Sequence, residues 1–397
     1  MRPVYLDNNA TTRTDPAVVD AMLPYFTEQF GNASSAHAFG AEVGEAVRDA
    51  RKKLQALLGT AHDHEIIFTS GGTESDNAAI LSALEAQEGR DEIVTTSVEH
   101  PAILTLVAHL EKTRGIKVHL IGVDACGRLD IEAFKAALGP RTAVVSVMWA
   151  NNETGTIFPV ADLAKQAHAV GALFHTDAVQ AVGKIPIDLK STEIDMLSLS
   201  GHKLHGPKGI GALYVRKGTK FKPLIRGGHQ ERGRRGGTEN VPAIVGLGKA
   251  AELAIAHMSE EQTRVLALRD RLERGILQQI DRSFVSGDAD NRLPNTANIA
   301  FEHVDGEGVL AHMNRAGIAA SSGSACTSGS TEPSHVLRAM NLPVTRLHGA
   351  IRLSLSRENT DEDVDRVLEV LPEIVAKLRA TTGPAGQEAE KGASLHA

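Results

Sequence analysis

Seven short apolar runs between residues 65 and 215 constrain the possible fold of this chain more than any other feature. Most of them are separated by segments with helical patterns. Runs of this length are typical of buried strands, and strands that alternate with helices are typical of parallel sheets covered on both faces. We therefore expect an α/β fold built on a mostly parallel seven-stranded sheet. The runs are residues 65–69, 92–96, 117–121, 142–148, 172–176, 194–199 and 210–215.

Two helical patterns lie on either side of this series. Residues 41–58 place apolar side chains on one face, and Gly59 is typical of a helix end. A second apolar face recurs at Val265, Leu268, Leu272, Ile276 and Ile280. We expect this second helix to be long and to join a large domain to a smaller C-terminal α+β domain.

The last helix should start at Thr360, with Asp363 as its capping partner, and Pro372 should kink or break it. The polar, glycine-containing sequence that follows predicts a disordered tail. The predicted divisions are an N-terminal segment joining the small domain (1–15), a large cofactor-binding domain (16–257), the small domain (258–380) and the tail (381–397).

Composition narrows the possible partners and compartment. Two cysteines in 397 residues indicate no disulfide framework and a reducing compartment, so we expect a cytoplasmic protein. A net charge of −7 disfavours a nucleic-acid partner. The N-terminus MRPVYLDNNA has no apolar signal region, and no apolar run approaches the roughly 18 residues of a membrane span.

Lys203 is the first candidate for chemistry. It follows the strand ending at Ser200, has glycines on both sides, and lies between two apolar runs. A lysine in an apolar site has a lowered pKa and a nucleophilic amine, which covalent attachment to a carbonyl cofactor requires. An ordinary surface lysine on a loop is the alternative, and it would be favoured if Lys203 stood alone.

Asp177 ends another predicted strand, 26 residues before Lys203. Ligands of open α/β sheets bind beyond the carboxyl ends of strands, so the carboxylate and the lysine can face one cavity. A pyridine-type cofactor needs such a pair, because an aspartate keeps the ring nitrogen protonated and the ring then acts as an electron sink. The alternative is that Asp177 only caps a helix over AVQAV.

The segment FTSGGTESDNAAILSAL, residues 68–84, predicts a phosphate site. Its strand is followed by a tight turn at Gly71 and Gly72, and Thr73 opens a helix whose N-terminus suits an anion. No Gly-Lys-Ser/Thr follows, so the segment is not a Walker A loop. Thr73 and Asp76 acting as a local helix cap is the alternative.

The segment SSGSACTSGS, residues 321–330, presents Cys326 among eight Ser, Gly or Thr residues. Free cysteine is normally buried, so a thiol in a polar, flexible loop suggests a mobile nucleophile. A chance cysteine in a linker is the alternative. The other cysteine, Cys126, lies in a predicted turn and has no assigned role.

Together these segments resemble the pyridoxal-phosphate cysteine desulfurases of the NifS/IscS group, and the details MWANNETGT, RRGGTEN and LPNTANIAFE are similar to the nitrogen-fixation branch. The resemblance covers roughly residues 4–378. The matching segments include YLDNNATT, TSGGTESDN, VEHPAI, NNETG, HTDAVQAVGK, SGHKLHGPKG, RGGHQERGRRGGTEN, SSGSACTSG and IRLSLSR.

The resemblance implies a fold-type I pyridoxal-phosphate transferase that acts as a homodimer. It further implies that L-cysteine is converted to L-alanine, with the sulfur held as a persulfide on Cys326 and passed to an iron–sulfur scaffold protein. Lys203, Cys326 and His100, which stacks on the cofactor ring, would be catalytic. The implied binding residues are Gly72, Thr73, Ser200, His202 and, from the other subunit, Thr238 for the phosphate; Asp177, Asn152 and Gln180 for the ring; and Asn152 and Arg352 for the substrate carboxylate.

Other functions stay open at this point. The pairs His202/His205 and His62/His64 suggest a metal, but neither has ligands at metal spacing, so we expect none. A related aminotransferase or selenocysteine lyase is possible, although an aminotransferase needs no mobile thiol. A catalytically silent scaffold is disfavoured by the intact set of Asp177, Lys203, Cys326 and Arg352.

Overall fold

The computed structural model describes residues 2–322 and 333–381. Its strands are β1 (Val4–Tyr5), β2 (Ile66–Thr69), β3 (Glu92–Thr96), β4 (Lys117–Ile121), β5 (Thr142–Ser146), β6 (Leu173–Asp177), β7 (Met196–Ser200), β8 (Gly211–Val215), β9 (Ser283–Val285), β10 (Thr296–Phe301), β11 (Ile318–Ala319) and β12 (Ala350–Ser354). Its α-helices are α1 (Pro16–Met22), α2 (Pro24–Thr27), α3 (Ala38–Leu58), α4 (Gly72–Ala86), α5 (Pro101–Arg114), α6 (Ile131–Ala137), α7 (Val160–Ala169), α8 (Val241–Glu260), α9 (Leu266–Gln279), α10 (Gly306–Arg315), α11 (His335–Ala339), α12 (Val344–Leu347) and α13 (Asp361–Thr381).

A seven-stranded sheet forms the centre of the molecule, in the order β2-β8-β7-β6-β5-β3-β4. Each of the seven predicted runs supplies one strand. Only β8 opposes the others, since it pairs antiparallel with both β2 and β7. The predicted mostly parallel seven-stranded sheet is therefore confirmed.

Helices cover both faces of this sheet. Alternate residues of one strand point to opposite faces, so Phe68 packs in the core beneath α3 and α8, whereas Ile67 packs in the core beneath α4 and α5. The predicted amphipathic helix begins at Ala38, three residues before the predicted start, and ends at Gly59 in the left-handed conformation (φ 60°).

A second apolar core lies in the C-terminal third of the chain. There α9 and α13 pack beside an antiparallel sheet of order β12-β10-β9, and the predicted face from Val265 to Ile280 is buried in this core. The short strand β1 pairs in parallel with β11, which ties the N-terminal segment to this part of the chain. The exact domain boundaries stay a prediction, because α8 and α9 are joined through one π-helical turn, Glu261–Val265.

The expected break at Pro372 is wrong, since α13 continues through this proline to Thr381. The missing backbone hydrogen bond is offset by packing, because apolar residues before and after the proline, including Leu371 and Val375, are fully buried. The capping prediction agrees with the structure, in which the Asp363 carboxylate accepts from the Thr360 backbone N–H at 3.2 Å.

The expectation that no segment reaches the length of a membrane span also needs correction. Within the described residues, the joined helix Val241–Gln279 is long and apolar enough by length and composition. Half of the most apolar stretch of this helix is buried inside the fold, where α8 packs on α3. A core helix of a globular protein satisfies the same criterion.

Candidate active site

The carboxyl ends of the parallel strands surround a cavity of about 360 Å³. Asp177 is the last residue of β6 and Ser200 the last of β7, so both reach the edge of the sheet where such folds bind ligands. Ten of the residues predicted from the sequence line this cavity: Gly72, Thr73, His100, Asn152, Asp177, Gln180, Ser200, His202, Lys203 and Arg352.

Lys203 lies in a 3-10 turn that directly follows β7. Its Nζ donates to the backbone oxygens of Asn9 and, at 2.7 Å, of Ala10. The side chain is half-buried and lines the cavity, so it is neither an ordinary solvated surface lysine nor locked in the core. Its amine is held by the N-terminal segment, to which the sequence analysis assigned no site residue.

Asp177 faces the same cavity and is 6% exposed. Burial raises the pKa of Asp177 above its ordinary value, although the hydrogen bond from the Val179 N–H at 2.9 Å and the neighbouring His100 and Lys203 oppose this effect. The alternative of a helix cap over AVQAV fails, because residues 178–184 form turns. Gly183 interrupts any helix there with its left-handed φ of 81°.

The start of α4 has the features of an anion site. Its N-cap is Gly71, which makes no side-chain capping bond, so neither Thr73 nor Asp76 acts as the local cap considered above. The free N–H groups therefore face the cavity end of a 15-residue helix. A Cβ on Gly72 would lie 2.8 Å from Val179 Cγ2, so the close approach of these segments requires glycine.

His100 caps α5 and lines the cavity at the same time. Its Nδ1 accepts from the Ala102 N–H at 3.1 Å, and the neutral ring therefore carries its proton on Nε2. Burial lowers the pKa of His100; the Asp177 carboxylate opposes this effect, while Lys203 and His335 add to it. The ring is thus favoured in its neutral form.

Arg352 comes from β12, on the opposite side of the cavity, and its side chain is 2% exposed. Its Nη2 pairs with Asp7 Oδ1 at 2.8 Å, and its Nη1 donates to the Asn152 backbone oxygen at 3.0 Å. A buried guanidinium with a carboxylate already beside it can bind a further carboxylate in bidentate fashion. Asp7 is a site residue that the sequence analysis missed.

Two buried acids close to the cavity were also missed as site residues. Burial and the charge of Asp177 raise the pKa of Asp76 well above its ordinary value, although a hydrogen bond with Ser198 opposes them. Burial raises the pKa of Glu99 to about 8. Asp76 Oδ1 is buried and has no hydrogen-bond partner among the described residues. Glu99 is therefore favoured in its uncharged form at neutral pH. Burial raises the pKa of both Asp76 and Asp177, and the charge of Lys203 opposes this effect at Asp177.

Two predicted residues do not appear in this cavity. Thr238 is exposed, in a segment that follows the 3-10 turn Gln230–Gly233. Cys326 lies outside the described residues. The described chain on either side of its segment contacts residues at or next to the cavity lining. Ser321 pairs with Arg352 through backbone hydrogen bonds, and the His335 ring lies 2.9 Å from the backbone oxygen of Glu99, the neighbour of His100.

Comparison with known proteins agrees with this geometry. Residues 4–367 match the aminotransferase class-V family. The chain belongs to that family. It is 73% identical over 96% of its length to a cysteine desulfurase of Gluconacetobacter diazotrophicus, of which 95% is covered. It is 62% identical over 96% of its length to the cysteine desulfurase NifS of Azotobacter vinelandii, of which 94% is covered.

Solved structures give the same result. The chain resembles a NifS-like protein with a TM-score of 0.88 and 39% identity, over 95% of this chain and 100% of that one. A NifS-like protein from Rickettsia africae matches with a TM-score of 0.84 and 30% identity, over 94% of this chain and 99% of that one. The resemblance found in the sequence is thereby confirmed, and so is the fold type that it implied.

The cofactor of this family is pyridoxal phosphate, and the residues of the cavity fit it. The uncapped start of α4 supplies donors for a phosphate, and its approach to Val179 leaves no room for a side chain at Gly72. Asp177 offers a buried carboxylate, and Lys203 offers an amine on the same cavity. An anion site, an acid for a ring nitrogen and a nucleophilic amine are the groups that this cofactor requires.

Proposed function

We propose that the chain is a pyridoxal-phosphate cysteine desulfurase, which converts L-cysteine to L-alanine and holds the sulfur as a persulfide on Cys326. The observation that carries this proposal is the shared cavity of Lys203, Asp177 and Arg352, which combines a cofactor amine, a ring acid and a carboxylate-binding arginine. The relatives described as cysteine desulfurases support the reaction, at 62–73% identity over 96% of the chain.

Bound pyridoxal phosphate supplies a carbonyl for the substrate amine and a ring that accepts the electrons of the Cα–H bond. The free N–H groups of Gly72 and Thr73, with Ser200 and His202, would hold its phosphate. Asp177 would keep a proton on the ring nitrogen; the charge of Lys203 favours its carboxylate form, whereas burial raises the pKa of Asp76 and of Glu99. These residues fix the ring before the substrate arrives.

The remaining residues act on the substrate. Arg352 binds the carboxylate of cysteine, with Asn152 beside it, and this contact orients the Cα–H bond. The Lys203 amine takes the α-proton and later returns a proton to the product. His100, neutral and protonated on Nε2, would lie against the ring and present its N–H to the reacting sulfur.

The sulfur step balances without an external oxidant. The Cys326 thiolate attacks the substrate sulfur, a sulfur–sulfur bond forms, and the carbon–sulfur bond breaks with its electrons left on the carbon skeleton. A proton added to that carbon completes alanine, so cysteine and the Cys326 thiol give alanine and the Cys326 persulfide. An ordinary cysteine is only a few per cent thiolate at pH 7, so its proton must be removed before the attack. His100 could take that proton only after its Nδ1 releases the Ala102 N–H or its Nε2 gives up its own proton, so the proton chemistry of the substrate thiol is the alternative route.

We further propose a cytoplasmic homodimer in which Thr238 contacts the phosphate bound by the partner subunit. The exposure of Thr238 and of the aromatic residues Phe26, Phe30 and Phe39, which are 60%, 68% and 59% exposed, supports a surface that another subunit covers. The sulfur acceptor would be an iron–sulfur scaffold protein in nitrogenase maturation. The printed name NifS of one relative supports that assignment.

The test compares Cys326→Ala with Cys126→Ala as its matched control, because Cys126 is half-buried and distant from the assigned chemistry. The parent and Cys126→Ala should release alanine from cysteine and carry one extra sulfur on the peptide that holds Cys326. Mass spectrometry should show that this peptide loses the extra sulfur after treatment with a thiol reductant. Cys326→Ala should keep its colour, bind cysteine, and release no alanine.

A persulfide on Cys126, or continued alanine and sulfide release by Cys326→Ala, would contradict the proposal. A holoenzyme that transfers the amino group to a keto acid instead of releasing sulfur would favour the aminotransferase alternative. Alanine release by Cys326→Ala from selenocysteine but not from cysteine would favour the lyase alternative.

A further inference from the structure

Lys184 is a buried lysine directly behind the cavity, and none of the roles proposed above uses it. It is 6% exposed, and within residues 2–322 and 333–380 its ammonium group makes no ion pair with a carboxylate. Instead Nζ donates to Gln180 Oε1 at 2.8 Å and to Asn9 Oδ1 at 3.3 Å. Burial and the charge of Lys203 lower the pKa of Lys184 to about 7. The Glu261 carboxylate, which lines the same smaller cavity as Lys184, opposes this effect, whereas the charge of Arg352 adds to it.

The hydrogen bonds of Gln180 depend on which end of its amide faces Lys184. A lysine ammonium group only donates, so it requires the amide oxygen of Gln180 on its side. The amide nitrogen must then point the other way, where Nε2 donates one hydrogen to the Asn9 backbone oxygen at 3.0 Å. Gln180 also lines the cavity, so its second Nε2 hydrogen is available there.

Asn9 completes this network from the N-terminal segment. Its backbone oxygen accepts from both Gln180 and Lys203, and its side-chain oxygen accepts from both Lys184 and Asn295. Asn9 is 1% exposed, so a change at any of these donors must be absorbed inside a packed region. The same backbone oxygen thus connects the amide of Gln180 with the amine of Lys203.

We propose that Lys184 is a positioning residue that locks the amide of Gln180, so that its Nε2–H faces the phenolic oxygen of the bound cofactor. This inference rests on the proposed function and on the resemblance, which implies that Gln180 binds the cofactor ring by donating to that oxygen. Without Lys184 the amide can rotate and present its own oxygen to the phenolic oxygen. Two acceptors would then face each other, and the negative charge of the phenolate would lose a donor.

The test follows the pH at which the visible chromophore of the reconstituted holoenzyme titrates, which requires no turnover. A donor to the phenolic oxygen stabilises its deprotonated form, so Lys184→Met should move the midpoint upward by about one pH unit. Lys184→Gln, which keeps a donor but removes the charge, should lie close to the parent. Lys190→Met, an exposed lysine of the same stretch, is the control and should not move it.

A loss of charge at Lys184 would also raise the midpoint, and the double variant separates the two causes. If Lys184 acts through Gln180, Lys184→Met should add no further shift in a Gln180→Ala background. Additive shifts would overturn the proposal in favour of a direct electrostatic effect. An unchanged midpoint in Lys184→Met, or loss of folding in both Lys184 variants by far-ultraviolet circular dichroism, would overturn it in favour of a purely structural lysine.

The proposed function can fail separately from this inference. If Gln180→Ala alone leaves the midpoint unchanged, Gln180 does not donate to the phenolic oxygen and the assignment of Gln180 is wrong. If Gln180→Ala shifts the midpoint and Lys184→Met does not, only the role of Lys184 is wrong. If both shift it and alanine is not produced from cysteine, the positioning role stands and the desulfurase reaction does not.

Discussion

The two sides of the cavity are built in different ways. The cofactor side consists of Asp177 and Lys203 at the ends of β6 and β7, and both groups contact backbone N–H or C=O groups. The carboxylate side consists of Arg352 on β12 and Asp7, which are 345 residues apart in sequence and form an ion pair at 2.8 Å. One side is therefore built on a single sheet, whereas the other exists only when distant segments pack together.

This difference predicts different kinds of failure. Changes on the cofactor side should remove chemistry while leaving the cysteine carboxylate bound, because the central sheet holds its fixed groups in place. Changes on the carboxylate side should alter affinity for cysteine while leaving the cofactor bound. The following predictions test this division, beginning with the largest effect.

Lys203→Ala should abolish alanine production from cysteine and remove the visible absorbance of the resting holoenzyme. The variant lacks the only lysine amine that lines the cavity among the described residues. The measurements are an absorbance spectrum after reconstitution and alanine release at saturating cysteine. Lys208→Ala, five residues along the same loop and exposed, is the control and should behave like the parent. Full turnover by Lys203→Ala would mean that the Lys203 amine has no part in the reaction.

Arg352→Ala should raise the apparent KM for cysteine about ten- to a hundredfold, because losing a charge-assisted hydrogen bond costs roughly 1.5–3 kcal/mol. Arg352→Lys should restore only part of this affinity, since an ammonium group cannot form the bidentate contact. The absorbance of the holoenzyme should be unchanged in both. Arg357→Ala, which removes another arginine paired with an N-terminal aspartate, is the control. If Arg352→Ala binds cysteine like the parent, Arg352 only links the N-terminal segment to β12 and does not bind the substrate.

The fold was predictable where it depended on local patterns. Each apolar run became a strand because strand formation needs only a few adjacent buried side chains, and the helix that ends at Gly59 carries its own stop signal. The predicted break of the last helix at Pro372 was wrong, because the burial of Leu371 and Val375 depends on tertiary packing, which a local sequence pattern does not show. Long-range packing decided that case.

The site was predictable on the cofactor side and less so opposite it. Lys203 and Asp177 follow recognisable strands, so their meeting at one sheet edge was expected. Asn9 lines the cavity and Asp7 contacts Arg352 because the N-terminal segment pairs with β11 and with Ser354 of β12, and no spacing in the sequence indicates those contacts. The role proposed for Lys184 could not be predicted, because it depends on a hydrogen bond to the amide of Gln180 that no pattern in the sequence indicates. The motif YLDNNATT was the available signal for the N-terminal residues.

The smallest predicted effect concerns Asp7, which holds Arg352 while adding a negative charge beside the expected site of the substrate carboxylate. Asp7→Asn keeps an oxygen that accepts from Nη2 but removes the charge, so Arg352 should stay in place and attract cysteine more strongly. We expect the apparent KM to fall by roughly two- to fivefold, which corresponds to about 0.4–1 kcal/mol. Turnover at saturating cysteine should be unchanged, because the cofactor side is untouched.

Asp15→Asn is the matched control for this prediction, since Asp15 pairs with Arg357 at 2.6 Å, and neither residue lines the main cavity. It removes a carboxylate from the same N-terminal segment and should leave the KM unchanged. Steady-state kinetics over a range of cysteine concentrations distinguish the outcomes. A higher KM in Asp7→Asn would mean that Asp7 mainly orients Arg352, and that binding of the cysteine carboxylate depends on a rigid ion pair. A lower KM with an unchanged control would mean that the negative charge of Asp7 opposes binding of the cysteine carboxylate. The carboxylate side would then be limited by charge, whereas the cofactor side is held by the central sheet.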